Sequence, residues 1–194
     1  MTTYKEAGVD VEAGEETVDR IRSNVQETFT PGVLADIGAF GSFFEPDLEG
    51  MDEPVLVSSI DGVGTKLKVA SRAERYDTVG QDLVNHCVTD VAVCGARPLY
   101  FLDYYGVGTL EPDTAEAVVK GFATACDDNA CALVGGELAE MPDVYVAGAF
   151  DLVAMVVELV DKGTTVTRDA VPLGDGRLWL PSYGTHTNCH TPPR

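Results

Sequence analysis

The sequence predicts an α/β protein, of the α+β kind, with a mixed sheet of about four strands covered by helices on one face. Apolar or aromatic segments of strand length alternate along the chain with longer segments of helical periodicity. Hydrophobic residues make up 45% of the 194 residues. That fraction is enough for one domain with a core, or for one domain and part of a second.

The elements are predicted in order from these patterns. Residues 1–14 are predicted to be a loop or arm. A helix follows over about 15–29, where Val18, Ile21 and Val25 recur at helical spacing. Further helices are predicted at 77–94 and 113–126, and strands at 54–59, 99–107, 132–135 and 152–160. The chain then turns polar, which predicts a domain boundary, and a short strand is predicted at Arg177–Pro181.

Charge and composition exclude some function classes. The 13 basic and 32 acidic residues give a formal net charge of −19, which argues against non-specific nucleic-acid binding because that binding needs Lys and Arg. No apolar run reaches the roughly 18 residues of a membrane span. The acidic N-terminal sequence lacks the pattern of a secretory signal, so we expect a cytoplasmic protein. The five irregularly spaced cysteines are predicted to be structural.

The stretch SSIDGVGTK, Ser58–Lys66, carries the groups that a nucleotide-phosphate site needs. Its acid can hold a metal ion, and its glycines let backbone N–H groups approach a ligand. Its threonine adds a hydroxyl donor, and its lysine is a point charge suited to phosphate. The spacing is neither that of a Walker A loop nor that of a Rossmann fingerprint. The alternative is a tight turn after a strand with a solvated lysine.

Acids at two further positions extend this hypothesis. Asp61 follows the first predicted strand, Asp90 lies on the next helix, and Glu137 follows the third strand. Mg²⁺ prefers such hard oxygen ligands and bridges them to phosphates, so the three predict a metal-nucleotide site. Asp82, His86 and Asp90 are spaced to share one helix face. A solvated outer face is the alternative, although short polar side chains suit an enclosed site.

A glycine-containing loop, Ile37–Phe44 (IGAFGSFF), precedes the first strand. Gly38, Gly41 and Ser42 would make it flexible and able to contact phosphate. An ordinary surface loop whose phenylalanines pack on the core is the alternative.

Together these residues resemble a known family. Five motifs occur in order: YKEAGVD at Tyr4–Asp10, SSIDGVGTK at Ser58–Lys66, VNHCVTDVAVCGA at Val84–Ala96, PLYFLDYYGVG at Pro98–Gly108 and GGELAEMP at Gly135–Pro142. The sequence is similar over roughly residues 4 to 182 to the N-terminal half of the phosphoribosylformylglycinamidine cyclo-ligases, the AIR synthetases. An ordered set of this length is far more specific than any one motif.

The resemblance implies an enzyme of purine biosynthesis. Such a ligase closes the ring of formylglycinamidine ribonucleotide to give aminoimidazole ribonucleotide, with release of ADP and phosphate. It implies ATP and Mg²⁺ as cofactors and a homodimer whose sheets join into a barrel. It implies no nucleic-acid and no membrane partner. Positioning and neutralisation of phosphate charge would supply most of the catalysis.

The resemblance also implies roles for particular residues. Lys66 and Asp61 would be catalytic, and Asp61, Asp90 and Glu137 would hold the metal. The substrate would contact Glu140, His186 and Asn188. ATP would contact Lys5, Gly38, Gly41, Ser42, Asp61, Gly62, Gly64, Thr65 and Lys66.

Departures from the family pattern leave alternatives open. Ala39, Ser42, Thr89 and Leu138 replace typical family residues, and the match fades after Asn188. Residues 1–165 are expected to be the ATP-binding domain, and 166–194 a linker and the truncated start of a C-terminal domain. The alternatives are a catalytically incomplete nucleotide-binding or dimerising fragment, or another ATP user of the same fold. Such users include formylglycinamidine ribonucleotide synthetase, selenophosphate synthetase and thiamine-phosphate kinase.

Overall fold

The computed structural model describes residues 3–170, 174–176, 178–182, 184, 186–188 and 190–191. The helices are α1 (Val11–Glu27), α2 (Leu67–Ala73), α3 (Asp77–Ala92) and α4 (Pro112–Asp128). The strands are β1 (Pro54–Gly62), β2 (Arg97–Val107), β3 (Ala132–Glu140) and β4 (Phe150–Asp161). Single 3₁₀ turns occur at Lys5–Ala7, Gly64–Lys66, Lys162–Thr164 and Arg168–Ala170. None of the helices in the described part of the chain has the length and apolar character needed to cross a bilayer.

The four strands form one mixed sheet in the order β1-β4-β2-β3, which confirms the predicted class. β4, the last strand in sequence, lies between β1 and β2 and is antiparallel to both. β2 and β3 are parallel because α4 carries the chain back between them. β1 and β3 are therefore the two edges of the sheet.

The helices cover one face of this sheet, and the core lies beneath them. α3 packs against β1 and β4, while α4 packs against both α1 and α3. The rings of Phe101 on β2 and Phe122 on α4 have centroids 5.9 Å apart, and both side chains are fully buried. The opposite face has no such cover in the described chain, since Leu56 and Ile60 of β1 are 62% and 68% exposed.

Two glycines allow α3 and α4 to cross with their backbones in contact. A Cβ on Gly80 would overlap the carbonyl oxygen of Val118 and lie 2.9 Å from the backbone nitrogen of Phe122. A Cβ on Gly121 would overlap the carbonyl oxygen of Asp77. The approach of α3 to α4 depends on the absence of side chains at both positions.

Some element ends differ from the sequence prediction. α1 begins at Val11 instead of about 15, because Asp10 caps it by accepting hydrogen bonds from the amides of Glu12 and Ala13. β1 runs on to Gly62 and β3 to Glu140, so two predicted loop segments are strand. Each extension is paired with a neighbouring strand along its length.

The chain after β4 makes two 3₁₀ turns, and residues 174–176 and 178–182 form no helix or strand. The strand predicted at Arg177–Pro181 is therefore absent from 178–181, while Arg177 lies outside the described residues. Cys87, Cys94, Cys126 and Cys131 are free thiols, all buried except the half-buried Cys94, and Cys189 also lies outside the described residues.

Glu158 on β4 is an unusual core residue. It is fully buried, and neither of its carboxylate oxygens has a hydrogen-bond partner in the described structure. Its strand neighbours are Val57 of β1 and Pro98 of β2, which offer its side chain no polar group. Burial raises the pKa of Glu158 to about 7.

We expect Glu158→Gln to stabilise the protein above neutral pH. The pKa of Glu158 rises from 4.5 to about 7 on folding, so the native state holds the extra proton and stability falls as the pH rises through that range. The variant should regain up to about 3 kcal/mol at high pH and nothing below the lower pKa. Thermal unfolding measured across this range checks the expectation, with the exposed Glu27→Gln as control. Parallel stability curves for the wild type and Glu158→Gln would contradict it.

Candidate functional site

The end of β1 presents a carboxylate with two close polar partners. The backbone N–H of Gly62 donates to Asp61 Oδ1 at 2.7 Å, and His86 Nε2 lies 2.7 Å from Asp61 Oδ2. The Gly62 hydrogen bond, followed by the interaction with His86, holds the pKa of Asp61 below its ordinary value. Asp61 is therefore an anion at neutral pH and keeps 45% of its side chain exposed for a ligand.

α3 brings two more groups to the same place. His86 and Asp90 are one turn apart, and His86 Nε2 lies 3.9 Å from Asp90 Oδ2. One ligand atom from each of Asp61, His86 and Asp90 lies within 4.8 Å of the other two. The predicted pairing of Asp61 with Asp90 is thus present, and His86 stands between them. Sequence reasoning placed His86 on this face but did not assign it as a ligand.

Thr187, from the C-terminal part of the chain, contacts the second ring nitrogen of His86. Thr187 Oγ1 lies 2.8 Å from His86 Nδ1, and Thr187 is only 6% exposed. The sequence gives no sign of this contact, because the two residues are 101 positions apart.

The loop after Asp61 contains the residues that the hypothesis names. Its lysine, however, has an ion-pair partner that the sequence did not predict. Gly64 has a φ of +68°, which favours glycine where β1 turns into the following 3₁₀ helix. Lys66 forms an ion pair with Asp82 of α3, and both side chains are about four-fifths buried. The hydroxyl of Thr65 lies 2.8 Å from that of Thr191. Lys66 is therefore fixed beside the cluster by Asp82 and is not a solvated surface lysine.

The glycine loop lies at the other edge of the sheet. The Ser42 hydroxyl donates to the carbonyl oxygen of Val134 on β3 at 2.5 Å. Arg22 of α1 holds the start of the loop through Asp36 at 2.9 Å and the carbonyl oxygen of Ile37 at 3.1 Å. The loop and β3 enclose a cavity of about 830 Å³. Its lining includes Gly38, Gly41, Ser42, Asp103, Gly136 and Glu137.

Asp103 is one of the acidic residues that line this cavity. A Cβ on Gly136 would overlap the Asp103 carboxylate, so only glycine fits beside it. Burial raises the pKa of Asp103 to about 7. Sequence reasoning missed Asp103, which lies within an aromatic strand motif and has no acidic neighbour in sequence.

The structure separates Glu137 from the other two predicted metal ligands. One row of strand partners crosses the sheet from Asp61 through Ala154 and Asp103 to Gly136. Three strand spacings place Asp61 and Gly136 about 14 Å apart. Glu137 pairs with Tyr104, so alternation turns its side chain to the open face of the sheet. Within one chain, Glu137 therefore cannot share a cation with Asp61 and Asp90.

Other predicted site residues have local partners. Lys5 is exposed and pairs with Asp10 at 3.0 Å. The carboxylate of Glu140 accepts from the amides of Asp10 at 2.6 Å and Leu110 at 2.7 Å, which ties the N-terminal arm to β3. His186 and Asn188 are exposed on either side of Thr187. Their assignment to ATP or substrate stays a prediction.

The donor set at the end of β1 fits a divalent cation. Two carboxylates converge with one imidazole, and one of the carboxylates has a lowered pKa. The two carboxylates supply the hard oxygen ligands that suit Mg²⁺. The nearby Lys66 ammonium and the glycine-containing turn would accept the negative charge of a ligand bound to that cation.

Comparison with known proteins gives consistent matches. The family described as "AIR synthase related protein, N-terminal domain" matches residues 48–160. The chain is 52% identical over 185 residues to phosphoribosylformylglycinamidine cyclo-ligase of Nitratidesulfovibrio vulgaris (strain Miyazaki F), covering 95% of this chain and 53% of that protein. It is 50% identical over 188 residues to the protein of the same name from Oleidesulfovibrio alaskensis, covering 97% and 54%. The chain thus spans about half the length of these curated relatives.

Solved structures share the fold. Thiamine-monophosphate kinase from Stenotrophomonas maltophilia matches with a TM-score of 0.59 and 23% identity, over 79% of this chain and 44% of that one. Hydrogenase maturation protein HypE in complex with ATP matches with a TM-score of 0.55 and 18% identity, over 79% and 42%. At these identities the likeness concerns the fold alone.

Proposed function

The chain belongs to the AIR synthase related family, and from this we propose that it is the ATP-binding part of a phosphoribosylformylglycinamidine cyclo-ligase. The reaction is the ATP-dependent closure of formylglycinamidine ribonucleotide to aminoimidazole ribonucleotide, with ADP and phosphate as the other products. The relatives of that name are about 50% identical over nearly the whole chain, which supports the proposal.

The observation that carries this proposal is the placement of Asp61, Asp90 and Lys66 around one turn. Asp61 and Asp90 would hold Mg²⁺, and the bound ion would neutralise the phosphate charge of ATP. Lys66 would exchange Asp82 for a phosphate oxygen, since both are anions within reach of its ammonium group. Gly64 would leave backbone N–H groups accessible to the same phosphates.

A homodimer would complete the site. The cation cluster lies at the β1 edge and the glycine-loop cavity at the β3 edge, so the two parts do not meet within one chain. The uncovered sheet face exposes Leu56 and Ile60, an apolar surface suited to a second copy. If the β1 edge of one copy lies beside the β3 edge of the other, the sheets join into a barrel and the two half-sites face each other.

The proposal includes the domain boundaries of the chain, its partners and its location in the cell. Residues 1–165 form the nucleotide-binding domain, and 166–194 lead into a second domain. The net charge of −19 fits the absence of a nucleic-acid partner. A cytoplasmic location and the absence of a membrane partner belong to the same proposal.

A second candidate function is nucleotide binding and dimerisation without turnover. It is favoured by one observation: within one chain, the cation cluster and the glycine-loop cavity lie at opposite edges of the sheet. Incubation with ATP, Mg²⁺ and formylglycinamidine ribonucleotide separates the two candidates. Formation of aminoimidazole ribonucleotide supports the ligase for this chain. Binding of ATP without that product supports the second candidate, and absence of ATP binding contradicts both.

A further inference from the structure

We propose that His86 is a nitrogen ligand of the cation site, which makes the site select Mn²⁺ or a similar first-row transition ion over Mg²⁺. The inference rests on the proposed function and deepens it, since it concerns the same cation site. It adds His86 as a ligand and Thr187 as the residue that orients it.

The His86 imidazole lies next to both carboxylates of the cluster. Its Nε2 atom is 2.7 Å from Asp61 Oδ2 and 3.9 Å from Asp90 Oδ2, so a cation bound by both carboxylates lies within reach of the imidazole. The side chain of His86 is only 14% exposed, whereas those of both aspartates are 45% exposed. The imidazole is therefore the most buried of the three groups. The more exposed carboxylates leave the cation accessible to a ligand from solvent.

Thr187 contacts the ring nitrogen of His86 that faces away from the carboxylates. Its Oγ1 is 2.8 Å from His86 Nδ1 and can accept the Nδ1–H hydrogen bond. When a cation is bound between Nε2 and the two carboxylates, that tautomer directs the Nε2 lone pair at the ion in place of an Nε2–H bond to Asp61. Histidine ligands in metal sites commonly donate their second N–H to such an oxygen, which fixes the tautomer and the ring orientation. The burial of Thr187 keeps water from competing for Nδ1.

Mg²⁺ and the first-row transition ions differ in the ligand atoms that they prefer. Mg²⁺ demands oxygen ligands in near-ideal octahedral geometry and keeps several waters. Imidazole suits the transition ions, whose affinity for mixed nitrogen and oxygen sites rises from Mn²⁺ along the series. Two carboxylates and a neutral imidazole balance the charge of one divalent ion. Two carboxylates alone would hold Mg²⁺ nearly as well as Mn²⁺, so the preference depends on His86.

Titration of the protein with Mn²⁺ and with Mg²⁺ tests the proposal without any turnover. Free Mn²⁺ is measured by electron paramagnetic resonance, and Mg²⁺ by its competition with Mn²⁺. In His86→Gln the amide can still donate to Asp61, so the carboxylate stays in position while the imidazole ligand is lost. We expect Mn²⁺ affinity to fall about 10- to 100-fold and Mg²⁺ affinity by less than about threefold.

Two variants complete the design. Thr187→Val should weaken Mn²⁺ binding about tenfold, because it removes the oxygen that orients the ring. His190→Gln is the matched control and should leave the affinities of both ions unchanged, since the ring of His190 contacts the carbonyl oxygen of His186 and not the cluster. Equal losses of Mn²⁺ and Mg²⁺ in His86→Gln, or no loss of either, would overturn the proposal.

The outcomes also separate this inference from the proposed function. Binding of both ions by the wild type without preference, lost in Asp61→Asn, overturns only the role of His86. Failure of the wild type to bind either ion contradicts the cation site itself, and with it the proposed function.

Discussion

Asp61→Asn is expected to weaken the binding of ATP with Mg²⁺ about 100-fold, a loss of roughly 3 kcal/mol. The asparagine can still accept a hydrogen bond from the amide of Gly62, so the fold at the end of β1 should persist. The variant lacks the anionic charge that the lowered pKa secures in the wild type. Isothermal titration with a non-hydrolysable ATP analogue measures the loss.

A control separates this local effect from the overall charge. Asp19→Asn, at an exposed position of α1, also removes one of the 32 acidic residues but lies outside the cluster. It should bind the nucleotide as the wild type does. Unchanged affinity in Asp61→Asn, or an equal loss in both variants, would remove Asp61 from the site.

Gly121→Ala should have the largest effect on folding, with a loss of about 3 kcal/mol or more in the free energy of unfolding. The new methyl group would overlap the carbonyl oxygen of Asp77 and lie 3.1 Å from the Cα of Gly80. These neighbours are backbone atoms, so relief requires α3 to move away from α4. Urea denaturation followed by circular dichroism measures the change.

Gly14→Ala is the matched control for a glycine in a helix. A Cβ at Gly14 meets no atom within 4 Å, so this substitution should stabilise α1 by up to about 1 kcal/mol. If Gly121→Ala unfolds at the same urea concentration as the wild type, then α3 and α4 do not cross in backbone contact.

Much of the fold could be predicted because periodicity is a local property. The apolar run that became β4 and the buried stripe of α3 are visible within short windows of sequence. The ends were harder to predict, since β1 and β3 continue only because a neighbouring strand pairs with them. The cap that starts α1 at Val11 is Asp10, which also lies within the YKEAGVD motif.

The site could be predicted only in part, because strand order is not a local property. Asp61 and Asp90 were grouped because they lie after the first strand and on the next helix, and because the family resemblance pairs them; in the structure their carboxylates do lie close together. Glu137 was grouped with them on the assumption that the ends of successive strands lie close together. β4 instead inserts between β1 and β2, which puts β3 at the far edge. The contact of Thr187 with His86 joins segments that no sequence period connects.

In the proposed homodimer, one nucleotide site would take its cation cluster from one copy and its glycine loop from the other. Mixing two inactive variants tests it directly. Asp61→Asn removes one of the two negative charges of the cluster, and Gly41→Asp places an anion in the loop at a position where a Cβ meets nothing within 4 Å. At an ATP concentration about ten times the wild-type dissociation constant, each variant alone should fill no more than about a tenth of its sites.

After subunit exchange between the two variants in equal amounts, half of the dimers are mixed, and each mixed dimer has one intact site. We therefore expect about a quarter of the wild-type number of ATP sites to return. Differently tagged copies show that mixed dimers have formed. Recovery of these sites is the result that the shared site predicts; mixed dimers that bind no ATP would contradict it.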